Sequence, residues 1–417
     1  MHHFQVAQGQ LFAEDIPVSE LAERFGTPLY IYSAATLRRH FQAFDSAFES
    51  IPHLTCFSMK CNGNLSVLKL LRDMGAGADI VSGGELYRAL RAGIDPKKIV
   101  FSGVGKRPEE MAAALEMDIL MFNVESDQEL RLLSRVAGQS GRTARISLRI
   151  NPDVDPKTHP YISTGLKKNK FGIDIRRADE IYAEAQRLPG IDPVGIDCHI
   201  GSQLTEISPF LEALDRLKAL NGRLQERGLD IRYLDLGGGL GITYGEEEPP
   251  HPKDFGHALT QALADWDVHL ILEPGRVIAG NAGILATKIL YTKQTEIKRF
   301  AVVDAAMNDL IRPSFYDAYH RISEVTPQGR EEVPIDVVGP ICETGDFLAQ
   351  DRKMPRPEPG ELLAAFSAGA YGFAMSSQYN ARPRAAEVLV DGDSARLIRD
   401  RESYEDLIAL ETRHLEL

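Results

Sequence analysis

Between residues 55 and 275 the chain alternates short apolar runs with stretches whose apolar positions recur at helical spacing. The runs are TCFSM (55–59), ADIV (78–81), KIVF (98–101), ILMFNV (119–124), ARISLRI (144–150), VGIDCHI (194–200), IRYLDL (231–236) and VHLILE (268–273). Runs of this length, with little polar alternation, fit strands buried on both faces. Between them lie NLSVLKLLRDM (64–74), GELYRALRAG (84–93), RPEEMAAALEM (107–117) and SPFLEALDRLKALNGRLQERG (208–228). Leu65, Leu68 and Leu71 recur at helical intervals, and Pro108 stands where a first helical turn accepts proline. Eight β–α alternations predict an α/β fold with a closed (β/α)8, or TIM, barrel. A doubly wound open sheet is the alternative; the count of eight and the absence of an early G-x-G-x-x-G turn favour the barrel.

One connection breaks the rhythm. Residues 151–175 (NPDVDPKTHPYISTGLKKNKFGIDI) form a long polar stretch after the fifth run, and so long a loop inside a domain points to function or disorder. After about residue 284 the texture turns to strands: KILYTKQTEI, RFAVVDA, PIDVVG, ELLAAFSAG and AEVLVDGDSARLIRD, the last with a hairpin signal at Asp391-Gly392. TPLYIYS, near the amino terminus, resembles a further strand. The predicted division is a barrel over 36–283, with 1–35 and 284–417 forming a C-terminal β-barrel or β-sandwich domain. PRPEPGE (355–361) reads as a surface loop, and there is no internal repeat.

Composition narrows the classes. The chain has 417 residues, 43% hydrophobic and 26% charged, the mix of a soluble globular protein. Its net charge of −13 argues against a nucleic-acid partner, which needs a basic face. No apolar stretch reaches the roughly 18 residues of a membrane span, and MHHFQVAQGQ lacks the pattern of a secretory signal. A cytoplasmic location is expected. Cys56, Cys61, Cys198 and Cys342 are too few and scattered for a disulfide scaffold, and none stands in C-x-x-C spacing, so no metal site is expected. Cys56, Cys61 and Cys198 read as small buried hydrophobes.

A barrel builds its active site where strands exit into helices. The first strand there delivers Lys60, the sixth His199, the seventh Gly237-Gly238-Gly239 and the eighth Glu273-Pro274-Gly275-Arg276. Glycines let backbone N–H groups approach a phosphate, and the loops after strands seven and eight are where barrels bind one. A lysine following an apolar strand starts partly desolvated, which favours the neutral amine that forms Schiff bases. Taken alone, Lys60 reads as a lysine reaching solvent from a strand end. With a phosphate cradle, a flat ring and a carboxylate, it becomes part of a set suited to pyridoxal phosphate.

FSMKCN, GADIVSGGE, NPDVDPKTHPYISTGLKKNKFG, CHIGSQ, LDLGGGLGI, EPGR, AAMNDLIRPSFYDAYH, GPICETGDFLA and AGAYGFAMSSQYN follow in order along the chain. Through them it resembles the alanine-racemase-like (fold type III) pyridoxal-phosphate decarboxylases, and within them the diaminopimelate branch. The resemblance spans nearly the whole chain. It implies that Lys60 carries pyridoxal 5'-phosphate, that His199 stacks on it and that Glu273 pairs with its ring nitrogen. Ser202, Gly237, Gly238, Gly239, Gly275 and Arg276 then hold the phosphate region, with Asp79 and Tyr371 as further cofactor contacts. Arg276, Arg312, Tyr316 and Tyr371 match positions that bind substrate, the arginines its carboxylates, and Glu343 the one that receives a distal ammonium. Cys342 matches a proton donor supplied across a homodimer interface, and Lys60, Cys342 and His199 are the implied catalytic residues. Two positions depart from the family pattern, Ser58-Met59 before the lysine and Ala306 where glycine is common; neither removes a reacting group.

The implied reaction is decarboxylation of meso-2,6-diaminopimelate to L-lysine and CO2, the last step of lysine biosynthesis by the diaminopimelate pathway. Rival readings are a decarboxylase for ornithine, arginine or carboxynorspermidine, and a catalytically silent relative. THPYISTG and MNDLIRPSFYDAYH count against the first, and the presence of both Lys60 and Cys342 against the second. A racemase needs a second base, for which no motif is present.

Overall fold

Each of the eight apolar runs forms a strand: His53–Ser58, Gly77–Ile80, Ile99–Phe101, Met121–Val124, Ala144–Asn151, Ile191–Asp197, Tyr233–Asp235 and His269–Leu272. All pair in parallel, in chain order, and the eighth pairs back onto the first, with Leu272 opposite Thr55. The sheet is therefore a closed (β/α)8 barrel. The second, third and fourth strands are buried at every residue, because helices cover one face and the barrel's own side chains fill the other. Cys56, Val100, Met121, Val194 and Ile271 pack together as one interior cluster. The computed structural model describes residues 2–154 and 170–415. Of the long polar connection at 151–175, residues 155–169, with the THPYISTG segment, lie outside the described residues.

Helices begin soon after the strands end because the sequence supplies caps there. Asn64 accepts from the Ser66 N–H to open Leu65–Asp73, Ser82 from Glu85 to open Gly83–Arg91, and Ser126 from Glu129 to open Asp127–Ser140. Pro108 occupies the first turn of Pro108–Glu116. The helix Ser208–Glu226 buries Phe210, Leu214, Leu217, Leu220 and Leu224, a stripe at 3.6-residue spacing.

By its contacts the chain divides into His40–Thr243 with Glu247–Ile278, and Met1–Arg39 with Tyr244–Glu246 and Ala279–Leu417. The second unit is β-rich. The expected β domain is present: Phe4–Ala7, Gln10–Ala13 and Ile16–Pro17 form a separate three-stranded sheet, and nine further strands form a mixed sheet organised around one long strand, Gly283–Gln294. The first half of that strand lies between Leu29–Ser33 and Leu362–Ala365; the second half pairs with Arg299–Val303. Leu29–Ser33 runs parallel to Ala386–Asp391, which turns through Gly392 into Ser394–Arg399. The Asp-Gly signal thus marks a real hairpin, with Gly392 at φ 62°. Leu29 and Ile31 face a core with Ile284, Ala286, Val388 and Val390, each of the leucine, isoleucine and valine side chains contributing about 1.5–3 kcal/mol by leaving water. Tyr30 and Tyr32 point the other way and stack at 6.3 Å, their hydroxyls donating to the Asp309 carbonyl and the Glu387 carboxylate.

Candidate active site

Lys60 projects from a short 3-10 turn, Met59–Cys61, that ends the first barrel strand. Met59 and Cys61 on either side are buried, so the turn sends the lysine outward, leaving its side chain 40% exposed. Its Nζ donates to Asp79 Oδ2 at 3.2 Å. Asp79, on the second strand, is buried and also accepts from Ser58 Oγ at 2.7 Å. Ser58, a departure from the family pattern, thus helps to fix the carboxylate that holds the amine.

The eighth strand delivers Glu273 into the buried interior. Its Oε1 accepts from Ser102 Oγ at 3.0 Å and from Asn123 Nδ2 at 3.2 Å. Burial first, then the charges of Asp235 and Asp79, push its carboxyl well above the usual range. Asp235 is pushed up to about 7 by burial and by Asp197. Such a group gains when a cation is placed against it, and a protonated pyridine nitrogen is one.

His199 follows the sixth strand. Its Nδ1 accepts from the Gly238 N–H at 3.2 Å, so the remaining proton sits on Nε2. Burial, aided by Arg149 and Lys60, holds it far below its ordinary titration range, leaving a flat neutral ring. The glycine run beside it tolerates no side chain. A Cβ on Gly237, at φ 64°, would lie 2.6 Å from His199 Nδ1; one on Gly238 would lie 2.2 Å from the Glu273 carbonyl oxygen. On Gly239, at φ 119°, it would lie 2.4 Å from the Gly201 oxygen, next to Ser202. Gly275 packs less closely, its added Cβ 3.1 Å from Cys61 Sγ, and Arg276 opens the short helix that follows. The exits of strands six, seven and eight thus form one backbone cradle beside His199 and Glu273. An amine held by Asp79, a neutral ring, a buried carboxyl suited to a cation and a glycine cradle fit pyridoxal 5'-phosphate.

The remaining predicted residues belong to the β-rich unit. Arg312 begins a short helix, Arg312–Tyr316, and is buried. Its Nη1 lies 3.0 Å from His320 Nε2, and its Cζ 4.5 Å above the Tyr244 ring. Tyr316 meets Phe315 edge-on, with centroids 4.6 Å apart. Cys342 is exposed, and its backbone N–H donates to Asn380 Oδ1 at 2.7 Å; Glu343 accepts from the Tyr379 hydroxyl at 3.3 Å. Tyr371 sits at φ 57°, a left-handed conformation uncommon for a tyrosine. Asp346 ties the cysteine loop to the AAMND segment by accepting from the Ile341 and Met307 N–H groups, both at 2.7 Å. Ala306, the second departure, fits because residue 339 is glycine: a Cβ there would come 2.5 Å from that of Ala306.

Several contributing residues escape a reading by motif. Asn123 and Ser147 are polar positions inside apolar strands and Ser102 directly follows one, and that contrast is the sequence signal they leave. Tyr244 leaves none, and His320, although it closes the AAMNDLIRPSFYDAYH segment, carries no mark there of its contacts with Phe366 and Tyr244. The other three thiols, Cys56, Cys61 and Cys198, are buried, and burial pushes each well up. Among the described residues no group of His, Cys, Asp or Glu is arranged to hold a metal, and no helix is long and apolar enough to cross a membrane.

Residues 34–280 match the family of the pyridoxal-dependent decarboxylase, pyridoxal binding domain. The chain is 55% identical to diaminopimelate decarboxylase of Haemophilus influenzae over 414 residues, 99% of this chain and 100% of the relative. It is 56% identical to the enzyme of that name in Vibrio cholerae, over 97% of each. Among solved structures, diaminopimelate decarboxylase from Helicobacter pylori, complexed with L-lysine, superposes with a TM-score of 0.92 at 44% identity, covering 95% of this chain and 100% of that one.

Proposed function

The chain belongs to the pyridoxal-dependent decarboxylases, and from that premise we propose that it converts meso-2,6-diaminopimelate to L-lysine and CO2, the last step of lysine biosynthesis by the diaminopimelate pathway. The observation that carries this reading is identity of 55% over essentially the whole chain, both units included, to a protein named for that reaction. Lysine, the product, is the molecule bound in the related Helicobacter pylori structure.

Pyridoxal 5'-phosphate, when bound, supplies the sink for the electrons left behind as CO2 departs. Lys60 would hold the cofactor through its amine, and Asp79 keeps that amine in place whenever it is not linked to the cofactor. Glu273 holds a proton at the ring nitrogen, an office its buried, carboxylate-rich surroundings favour. His199, a neutral imidazole, would lie against the cofactor's ring and add no charge that competes with the sink. Backbone N–H groups of Gly237, Gly238 and Gly239, with Ser202, Gly275 and Arg276, take the phosphate end, and Tyr371 adds a contact. Arg276, Arg312 and Tyr316 hold the substrate's carboxylates; Arg suits this because its fork bonds a carboxylate in two places. Glu343 receives the distal ammonium. Cys342 Sγ delivers the proton to the carbon that has lost CO2.

The active sites are shared in a homodimer, the partner supplying Cys342. The barrel and β-rich domains are taken as 36–283 and 1–35 with 284–417. We place the enzyme in the cytoplasm, whose reducing conditions suit its four free thiols. Incubating the purified protein with saturating cofactor and meso-2,6-diaminopimelate is expected to release CO2 and L-lysine in equal amounts. Inactivity on that substrate, or preference for ornithine or arginine in a parallel panel, would overturn the assignment.

A further inference from the structure

The Arg312 guanidinium is held on two sides by groups that the reaction as described does not use. His320, eight positions along the same segment, is fully buried. Its Nδ1 lies 2.8 Å from the Phe366 carbonyl oxygen, and its Nε2 lies 3.0 Å from Arg312 Nη1. A carbonyl oxygen only accepts and a guanidinium only donates. Nδ1 therefore carries a proton and Nε2 does not, which makes the ring a neutral Nδ1–H tautomer. Tyr244 supplies the second restraint: Arg312 lies over its face, and the His320 ring meets it edge-on with centroids 5.5 Å apart. An acceptor at one nitrogen and an aromatic ring against the plane together fix how a planar group is rotated. That matters because a carboxylate is bound in two places only when the arginine fork lies in its plane.

We propose that His320, as the Nδ1–H tautomer set by the Phe366 carbonyl, is a positioning residue that aims the Arg312 fork at a substrate carboxylate. This rests on the reading of Arg312 as a carboxylate ligand. An imidazole carrying a proton on Nε2 has no lone pair for Nη1 and cannot act in this way.

Two variants separate the contributions. His320→Phe keeps a ring beside Tyr244 and removes both hydrogen bonds, whereas His320→Gln retains an acceptor and a donor. Both are prepared as cofactor-loaded enzyme, with thermal unfolding and cofactor absorbance as controls of fold. His320→Phe is expected to raise KM for meso-2,6-diaminopimelate on the order of tenfold or more, with a smaller fall in kcat. His320→Gln is expected to recover most of that loss. Selective 15N labelling of histidine, with the His320 signals assigned by their absence in His320→Gln, should show a protonated Nδ1 and a bare Nε2 in the substrate-free enzyme. Arg312→Lys runs alongside. If Arg312→Lys raises KM and neither His320 variant does, the positioning role fails while the reading of Arg312 stands. If none of the three moves KM, the reading of Arg312 fails and the proposal with it. A protonated Nε2 in the wild-type spectrum overturns the tautomer argument whatever the kinetics, and it decides the matter should His320→Phe not fold.

Discussion

Asn123 is fully buried within an apolar strand, yet its side chain joins four others. Its Nδ2 approaches Ser102 Oγ, Asp235 Oδ2 and Glu273 Oε1 at 2.9–3.2 Å, and its Oδ1 accepts from Ser147 Oγ at 2.6 Å. Replacing it by leucine, of the same branching, strands those groups without water, at about 1–3 kcal/mol for each one left unmade. Asn123→Leu should lower the unfolding free energy by about 3 kcal/mol in a urea titration. A loss below about 1 kcal/mol would show that the neighbours re-pair among themselves. Asp235 makes a second prediction. Its carboxyl, raised to about 7 in the folded state, binds a proton more tightly there than in the unfolded chain. Between its ordinary value near 4 and that raised one, the folded state holds the extra proton, so its contribution to stability falls as pH rises. Asp235→Asn removes this titration. The cofactor-free variant should show a flatter decline of melting temperature from pH 5 to pH 8 than the wild type, and parallel curves would refute the assignment. Lys60, Glu273 and the glycine run were legible because each ends an apolar run. Asn123 and His320 were not, since what they do depends on Ser102, Asp235 and Phe366, which sequence does not place beside them.

At the scale of elements, the barrel strands could be read because burial on both faces writes an unbroken apolar run. Phe347–Pro355 could not. It pairs antiparallel with Glu332–Val338, but only Leu348, Ala349 and Met354 are buried, too few to show a period in FLAQDRKMP. Glycine separates the elements further, because its meaning depends on its surroundings. At Gly238 an added methyl meets the Glu273 carbonyl, a backbone atom that cannot swing aside. Gly238→Ala should displace the eighth strand's exit and weaken cofactor binding at least about tenfold, since misplacement by an ångström is enough for such losses. Titrating cofactor-free protein with pyridoxal phosphate, followed by absorbance, reads this directly, and wild-type affinity would refute it. Gly222 lies exposed within Ser208–Glu226, where an added Cβ meets nothing within 4 Å. Gly222→Ala should therefore stabilise the protein, by about 0.5–1 kcal/mol through helix propensity alone, and a destabilised variant would contradict that reasoning.

For the whole molecule, the count of alternations announced the barrel, but nothing local announces how the second unit is assembled. Leu29–Ser33 runs parallel to Ala386–Asp391, a partner more than 350 positions away, and antiparallel to Gly283–Gln294. Each segment reads as a strand, but nothing in either names its partner; only the final fold selects the pairing. The same unit carries Cys342 exposed, with its backbone held by Asn380, while Lys60 stands in the barrel unit. If a partner's Cys342 completes each site, two inactive variants can repair one another. Lys60→Ala and Cys342→Ala homodimers should each be nearly inactive. Mixed and allowed to exchange subunits, half of the dimers become heterodimers, each with one site carrying both substitutions and one carrying neither. Activity should then rise to about a quarter of the wild-type value, as random pairing under two-fold symmetry requires. Sites built from a single chain would give no such recovery, because every site would keep one defect however the subunits were shuffled.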